Sequence, residues 1–281
     1  MEIQYDTYRD KIWVNPFSLH QTWEAKLFFL LRFGALGCFV GHGCWGLLQK
    51  TGWLHFFVHF GIAEETAWQL MPVIGAVDII IGLLIFFKPR PIYLWWAIIW
   101  TVFTALLRPI TGMGLSEFFE RAGNYGIPLA FLVMYAWPVS LKRIFQPITF
   151  HSPNFSASEK ILRISLFLLL AGHAGLALFQ THPVLLKHTN FLGFKQHEVV
   201  LLSFGIFEMI LAFVVLFKAS LPGLMLFVLG FKVASEILHP LSGGMLDSLE
   251  TIERMGDFVI PVLLWLIYQN VRFPSRVHKL S

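Results

Sequence analysis

Leu31 to Gly43 reads LRFGALGCFVGHG, and 131 residues further on Leu162 to Ala174 reads LRISLFLLLAGHA. In both, an arginine opens an apolar run and a Gly-His pair closes it, with His42 ten positions after Arg32 and His173 ten after Arg163. The correspondence continues along the chain. GAVDIIIGLLIFFK, Gly75 to Lys88, answers to GIFEMILAFVVLFK, Gly205 to Lys218, which sets Asp78 against Glu208, each ten residues before a lysine. Arg108-Pro109 matches His239-Pro240, and ERAGNYGIP from Glu120 matches ERMGDFVIP from Glu253 at a spacing of 133. Landmarks in one order at nearly constant spacing read as an internal duplication.

Each copy holds four apolar stretches. The eight windows are Leu27–Gln49, Ala67–Phe87, Ile92–Leu107, Tyr125–Leu141, Ile161–Gln180, Val199–Phe217, Leu221–Leu238 and Phe258–Val271. A hydrocarbon core of ~30 Å takes about 20 apolar residues of helix, so the third, fourth and eighth are short for a perpendicular crossing. Composition agrees with a membrane solvent. Of 281 residues 56% are hydrophobic and only 14% charged, with 29 Phe and 10 Trp. A soluble surface, a disordered chain, a disulfide scaffold and a nucleic-acid binder are all excluded on that balance. Cys38 and Cys44 lie six positions apart, about 120° around a helix, and read as small apolar residues with no pairing.

Backbone groups facing lipid must be paired internally, so the expected fold is all-α: eight transmembrane helices as two parallel-repeat four-helix bundles. The expected organisation is a cytoplasmic segment over 1–25, a first unit over 26–145, a linker over 146–160, a second unit over 161–272 and a tail over 273–281. The linker falls in KRIFQPITFHSPNFSASEK, Lys142 to Lys160. Basic residues set the orientation. Fourteen of 21 Lys and Arg fall on the side of both termini (Arg9, Lys11, Arg272, Arg276 and Lys279 among them), against six on the other side and Lys232 within a span. Both termini are expected in the cytoplasm, in a bacterial inner membrane. The first 24 residues carry no apolar signal segment, so the first span is expected to be retained. Trp23, Trp53, Trp68 and Trp137 fit an interfacial belt.

The arginine opening the first helix, the Gly-His turn, the acid in a glycine-containing second helix and the polar end of the third resemble the DoxX-like family. The resemblance implies four-helix membrane units and an association with redox systems, quinone among the partners. It hands over no catalytic mechanism. Two departures stand out: this chain joins two such units, and the first has Asp78 where the family's second helix usually carries Glu.

Ionisable side chains within a span cost ~2.5–3.5 kcal/mol on insertion scales and face the bundle interior. Asp78 and Glu208 fall near mid-membrane. His42, His173, Lys232, Glu236 and His239 fall in the outer half. Arg108, Glu120, Arg121, Asn124, Glu253, Arg254 and Asp257 gather at the outer boundary. Asp78, Glu208, Glu236 and Lys232 are the candidate catalytic group, and the other ten are candidate substrate or cofactor contacts. The second half is the richer in charge. A purely structural reading stands beside this one: Asp78 pairs with Arg108, Glu208 with His239 or Lys232, Lys232 with Glu236, and Asp257 caps its helix, with Pro128 and Pro261 close to helix starts.

His55 and His59, or His182, His188 and His197, carry no carboxylate motif of a metal site, and no metal is assigned. Facing histidines such as His42 and His173 are the one arrangement that would suit haem, and quinone is the better-supported cofactor. Nucleotide-binding and GxSxG motifs are missing from the sequence. The leading functional expectation is an integral membrane subunit of a quinone-linked redox system in a lipid bilayer, with a protein partner. The alternatives are a non-catalytic scaffold of a larger complex and a small-molecule or lipid transporter.

Overall fold

The computed structural model describes residues 22–137, 140–149, 153–218 and 220–271, and the described residues form helices joined by short loops. The expected cytoplasmic segment, apart from its last residues, and the expected tail lie outside them, together with Arg9, Lys11, Arg272, Arg276 and Lys279. The helices are α1 (Trp23–Leu47), α2 (Leu54–His59), α3 (Glu64–Phe87), α4 (Pro91–Ile110), α5 (Leu115–Phe119), α6 (Ala122–Tyr135) and α7 (Phe155–Phe179). They continue with α8 (Pro183–Phe191), α9 (His197–Lys218), α10 (Pro222–Glu236), α11 (Leu238–Gly243), α12 (Ser248–Glu253) and α13 (Met255–Asn270).

Local chemistry explains where they begin. The side chains of Thr22 and Asn154 accept from the backbone N–H of Ala25 and Ala157, satisfying donors that the first turn leaves free. Pro91, Pro183 and Pro222 open α4, α8 and α10, where a missing N–H is harmless. Pro72 inside α3 deprives the Trp68 carbonyl of its helical donor, and the Gln49 amide supplies one instead at 2.9 Å.

Among the described residues six helices are long and apolar enough to cross a membrane: α1, α3, α4, α7, α9 and the run Pro222–Gly243 formed by α10 with α11. The other two expected spans are α6 and α13, of 14 and 16 residues, about 21 and 24 Å long. They are short because each begins after a polar turn and sits inside the molecule. Ala122, Ile127, Ala130 and Phe131 of α6, like Ile260, Leu263, Leu264 and Ile267 of α13, are almost fully covered. Around them the outer helices turn apolar residues outward: Val73 and Ile80 on α3, Trp96 and Ile99 on α4, Ile206 and Ile210 on α9, Leu226 and Phe227 on α10. Lipid is the solvent such a surface requires.

The expected pair of bundles is one body. A single core joins Leu27, Leu31 and Phe131 of one half to Leu166, Leu169 and Leu264 of the other. Helix α1 lies against α3 and also against α12 and α13; α7 lies against α9 and also against α5 and α6. Close backbone approach makes this interlock. A Cβ on Gly41 would stand 2.6 Å from the Glu253 Cα, and one on Gly172 would stand 2.6 Å from the Glu120 Cα. Between α6 and α13 a Cβ on Gly256 would stand 2.6 Å from the Gly123 Cα. Small residues at helix crossings are what membrane packing selects.

Two ends can be told apart. At one, Trp23 packs on Phe155 with ring centroids 4.8 Å apart, and the loop after α6 bonds back to the loop before α4 (Ile148 N–H to Pro89 C=O, 2.9 Å). There Arg32 donates to the Phe86 carbonyl at 3.0 Å and Arg163 to the Leu216 carbonyl at 3.2 Å. At the other end the short helices α2, α5, α8, α11 and α12 enclose the polar residues. Helix α7 starts at Phe155, within the stretch expected to be linker.

Candidate functional site

The turns between α5 and α6 and between α12 and α13 carry Glu120-Arg121 and Glu253-Arg254, and the crossing of α6 and α13 brings them face to face. Arg121 pairs with Glu253 across the halves and with Glu120 at 3.2 Å. Arg254 reaches Glu120 at 3.4 Å and Glu250 at 2.8 Å. Lys50 completes the edge through Glu250. Burial alone would raise these carboxylic acids; the guanidinium of Arg121 holds Glu253 below its usual range, and Arg254 with Lys50 does the same for Glu250. Burial likewise works against the charge on Arg254, but Glu120, Glu250 and Glu236 outweigh it and hold its pKa well above the ordinary guanidinium value.

On the first-half side of this brace, α1 and α3 bring His42 Nδ1 within 2.7 Å of Asp78 Oδ2, with Asp78 almost fully covered. The expected partner of Asp78 in the structural reading, Arg108, bonds instead to the Thr104 carbonyl at 3.0 Å and lies 3.6 Å from Glu117. The reason is reach along α4: Arg108 sits at the helix end, level with α5, where Glu117 waits. Asn124 lines a small cleft with His42, Asp78, Arg121 and Glu253. In front of His42 opens a cavity of about 260 Å³ walled by Trp53, Phe56, Phe57, Trp100 and Phe103, with Thr104 and Arg108 as its other polar contacts. The His42 ring packs on Trp53 with centroids 4.5 Å apart, and the Arg108 guanidinium lies 5.8 Å from the Phe56 ring.

The second-half side is denser. Lys232 of α10, with no exposed surface, has its Nζ 2.9 Å from Asp257 Oδ2, 3.1 Å from Glu236 Oε1 and 3.8 Å from Glu208 Oε1. His173 Nε2 stands 3.4 Å from Asp257, 3.6 Å from Glu120 and 3.9 Å from Glu236. His239 Nε2 lies 3.4 Å from Glu236 Oε2. A second cavity, about 230 Å³, opens on Glu208, Lys232, Glu236, His239, His173 and Arg254, and its opposite wall is Leu185, Leu192, Phe194, Val200 and Phe204. His173, Glu236 and Asp257, all three buried, offer one nitrogen and two oxygens as donor atoms within 4.8 Å of one another.

All fourteen sequence candidates therefore line one of these cavities or belong to the network between them. Two further details of the structural reading are corrected. Asp257 does not cap α13: no side chain caps that helix, and its carboxylate turns to Lys232 and His173. Pro128 and Pro261 lie seven residues into α6 and α13, because those helices begin at the polar turns, earlier than the apolar windows suggested. His42 pairs with Asp78, whereas His173 stands among Asp257, Glu120 and Glu236. His55 is exposed and bonds the Gly52 carbonyl.

Sequence reasoning missed Glu117, Glu250 and the aromatic wall. The acids carry a signal: Glu-x-x-Glu-Arg occurs at Glu117–Arg121 and again at Glu250–Arg254. The aromatic residues carry none in a chain with 29 Phe. A search of curated proteins and of solved structures returned no match. Residues 37–120, from the middle of α1 through α5, match the model of the DoxX-like family.

Proposed function

We propose that the chain is the membrane subunit of a quinone-linked redox system, built by duplication of a DoxX-like unit, and that the first cavity takes the quinone ring. The observation that carries this reading is the His42–Asp78 pair at the floor of an aromatic cavity whose lining, His42 to Arg108, lies entirely within the DoxX-like segment. With Asp78 as carboxylate, His42 donates from Nδ1 and keeps Nε2 for a ligand. That nitrogen takes the proton of a quinol hydroxyl, or, once protonated, donates to a quinone carbonyl; the buried carboxylate stabilises the imidazolium in either direction. Arg108 supplies a donor for the second ring oxygen. Trp53, Trp100 and Phe103 offer flat apolar contact, and the half-exposed Phe60 and Phe103 bring the cavity to the lipid-facing surface, where a prenyl tail leaves the site. Two electrons per ring pass to a redox group on the protein partner when quinol is oxidised and come from it when quinone is reduced. Both termini are cytoplasmic in this arrangement, the cavities face the outer leaflet, and Glu208, Glu236 and Lys232 exchange protons with the network.

Because Trp53 and Trp100 line the cavity, a bound quinone quenches their fluorescence. Titration of the purified protein in detergent with a decyl-substituted ubiquinone is expected to give saturable quenching. His42→Ala and Asp78→Asn are expected to weaken it at least about tenfold, the worth of one charge-assisted hydrogen bond. Quenching that rises without saturation in the wild type, or that ignores both substitutions, defeats the reading.

A further inference from the structure

We propose that the second cavity carries a divalent-metal site formed by His173, Glu236 and Asp257, with Lys232 as a resident counter-cation that crosses to Glu208 when the ion enters. The inference is independent of what occupies the first cavity.

Three observations converge. The first is geometry. His173 Nε2 lies 3.4 Å from Asp257 Oδ2 and 3.9 Å from Glu236 Oε1. Ligands about 2.1 Å from a tetrahedral ion stand about 3.4 Å apart, so the two distances from His173 are near the spacing a small ion imposes, and all three donor atoms lie within 4.8 Å of one another. The second is charge. Glu120, Glu208, Glu236, Glu250, Glu253 and Asp257 belong to one ion-pair network, and Lys50, Arg121, Lys232 and Arg254 are the lysines and arginines that answer to them. Six carboxyl groups against four cations leave room for a divalent cation, and burying the excess without one is costly.

The third is Glu208 itself. Only 1% of its surface is exposed, it lines the cavity, and neither of its oxygens makes a hydrogen bond. The ammonium of Lys232 holds Asp257 and Glu236, the same two carboxylates an ion needs, and stands 3.8 Å from Glu208. A shift of about 1 Å along a flexible lysine stem brings it into hydrogen-bond range of Glu208. The vacated carboxylates and His173 then coordinate the ion, with the His188 and His239 imidazoles at the cavity wall. One imidazole and two carboxylates suit a first-row ion such as zinc, iron(II) or manganese. The first half has no counterpart: Thr101, Ala105 and Asn124 stand at the repeat positions of Lys232, Glu236 and Asp257.

The test is calorimetric titration of Zn²⁺ into the tag-free, chelator-stripped full chain in detergent, with metal content checked by mass spectrometry. One ion per chain is expected. Asp257→Asn is expected to weaken binding at least about tenfold, and so is Glu208→Gln, which removes the place Lys232 moves to. Lys232→Met is expected to tighten binding about tenfold or more, since the competing charge is gone. His55→Gln, exposed and remote, leaves it unchanged. No stoichiometric ion in the wild type, or binding that ignores Asp257→Asn, overturns the site. Unchanged affinity in Glu208→Gln overturns the exchange. The two isosteric variants decide the matter even if Lys232→Met does not fold.

Discussion

The two halves place their polar residues alike and charge them differently. At repeat positions the first half has Asp78, Thr101, Ala105 and Asn124 where the second has Glu208, Lys232, Glu236 and Asp257. The consequence is visible in the cavities: one is aromatic with a single His–Asp pair at its floor, the other is walled on one side by buried ions. What stays constant is the frame. Gly41 and Gly172 admit the opposite half's Glu253 and Glu120 backbone, and the Glu-x-x-Glu-Arg turns cross-pair. A frame whose contacts match in the two halves can thus hold two different interiors, because the contacts that fix the helices are not the ones that line the cavities.

The sharpest break in that comparison is at Lys232 and Thr101. Lys232→Met leaves Asp257 and Glu236 buried without their cation, and a loss of about 3–5 kcal/mol is expected. Thr101→Val removes only a hydroxyl that bonds its own helix at the Ala97 carbonyl, 2.6 Å away, and is expected to cost under about 1 kcal/mol. Thermal unfolding in detergent compares the two directly. Equal losses would mean that the halves do not differ in the way the charges suggest.

A second change converts one half toward the other. Asn124→Asp places a further acid in the cleft beside Asp78 and Glu253, and a loss of about 2 kcal/mol is expected. Adding Thr101→Lys supplies the cation that the second half already has, and is expected to restore at least half of the loss. The double-mutant cycle measures that coupling. Additive losses would show that residues at matching sequence positions do not face one another alike.

How much of this was legible follows from what each feature depends on. Six membrane-crossing helices declare themselves by sustained apolar length, from Trp23 to Leu47 through to Pro222–Gly243. Helices α6 and α13 were visible as apolar but not as short and central, since burial by neighbours leaves the same composition as burial in lipid. The polar candidates were legible because charge is rare here. Their pairings were not: Asp78 meets His42 rather than Arg108, a choice made by the packing of α1 on α3. Walls such as Trp53 and Phe56 depend on α2 folding back over the cavity, which no local pattern announces.

The smallest contrast concerns acid. His188 of α8 lines the second cavity and meets His239 edge to face, ring centroids 4.8 Å apart, while the corresponding wall of the first cavity has Phe57, which does not titrate. Burial, reinforced by His239, lowers the His188 pKa from 6.5 to about 4. The unfolded chain therefore binds this proton near pH 6.5 and the folded chain only near 4. Between those values the unfolded state holds more protons, so stability falls as pH falls across that window and the loss is complete below about 4. Glu250 and Glu253 add their own loss mainly below about 4.5, the pH at which an unfolded carboxylate is half protonated. Because His188 lines an open cavity, its share is expected to be on the order of 1 kcal/mol. His188→Gln should flatten the unfolding midpoint between pH 6.5 and 4.5, and Phe57→Leu should leave the slope as it is. An unaltered slope in His188→Gln would show that His188 is not the group that carries the acid sensitivity.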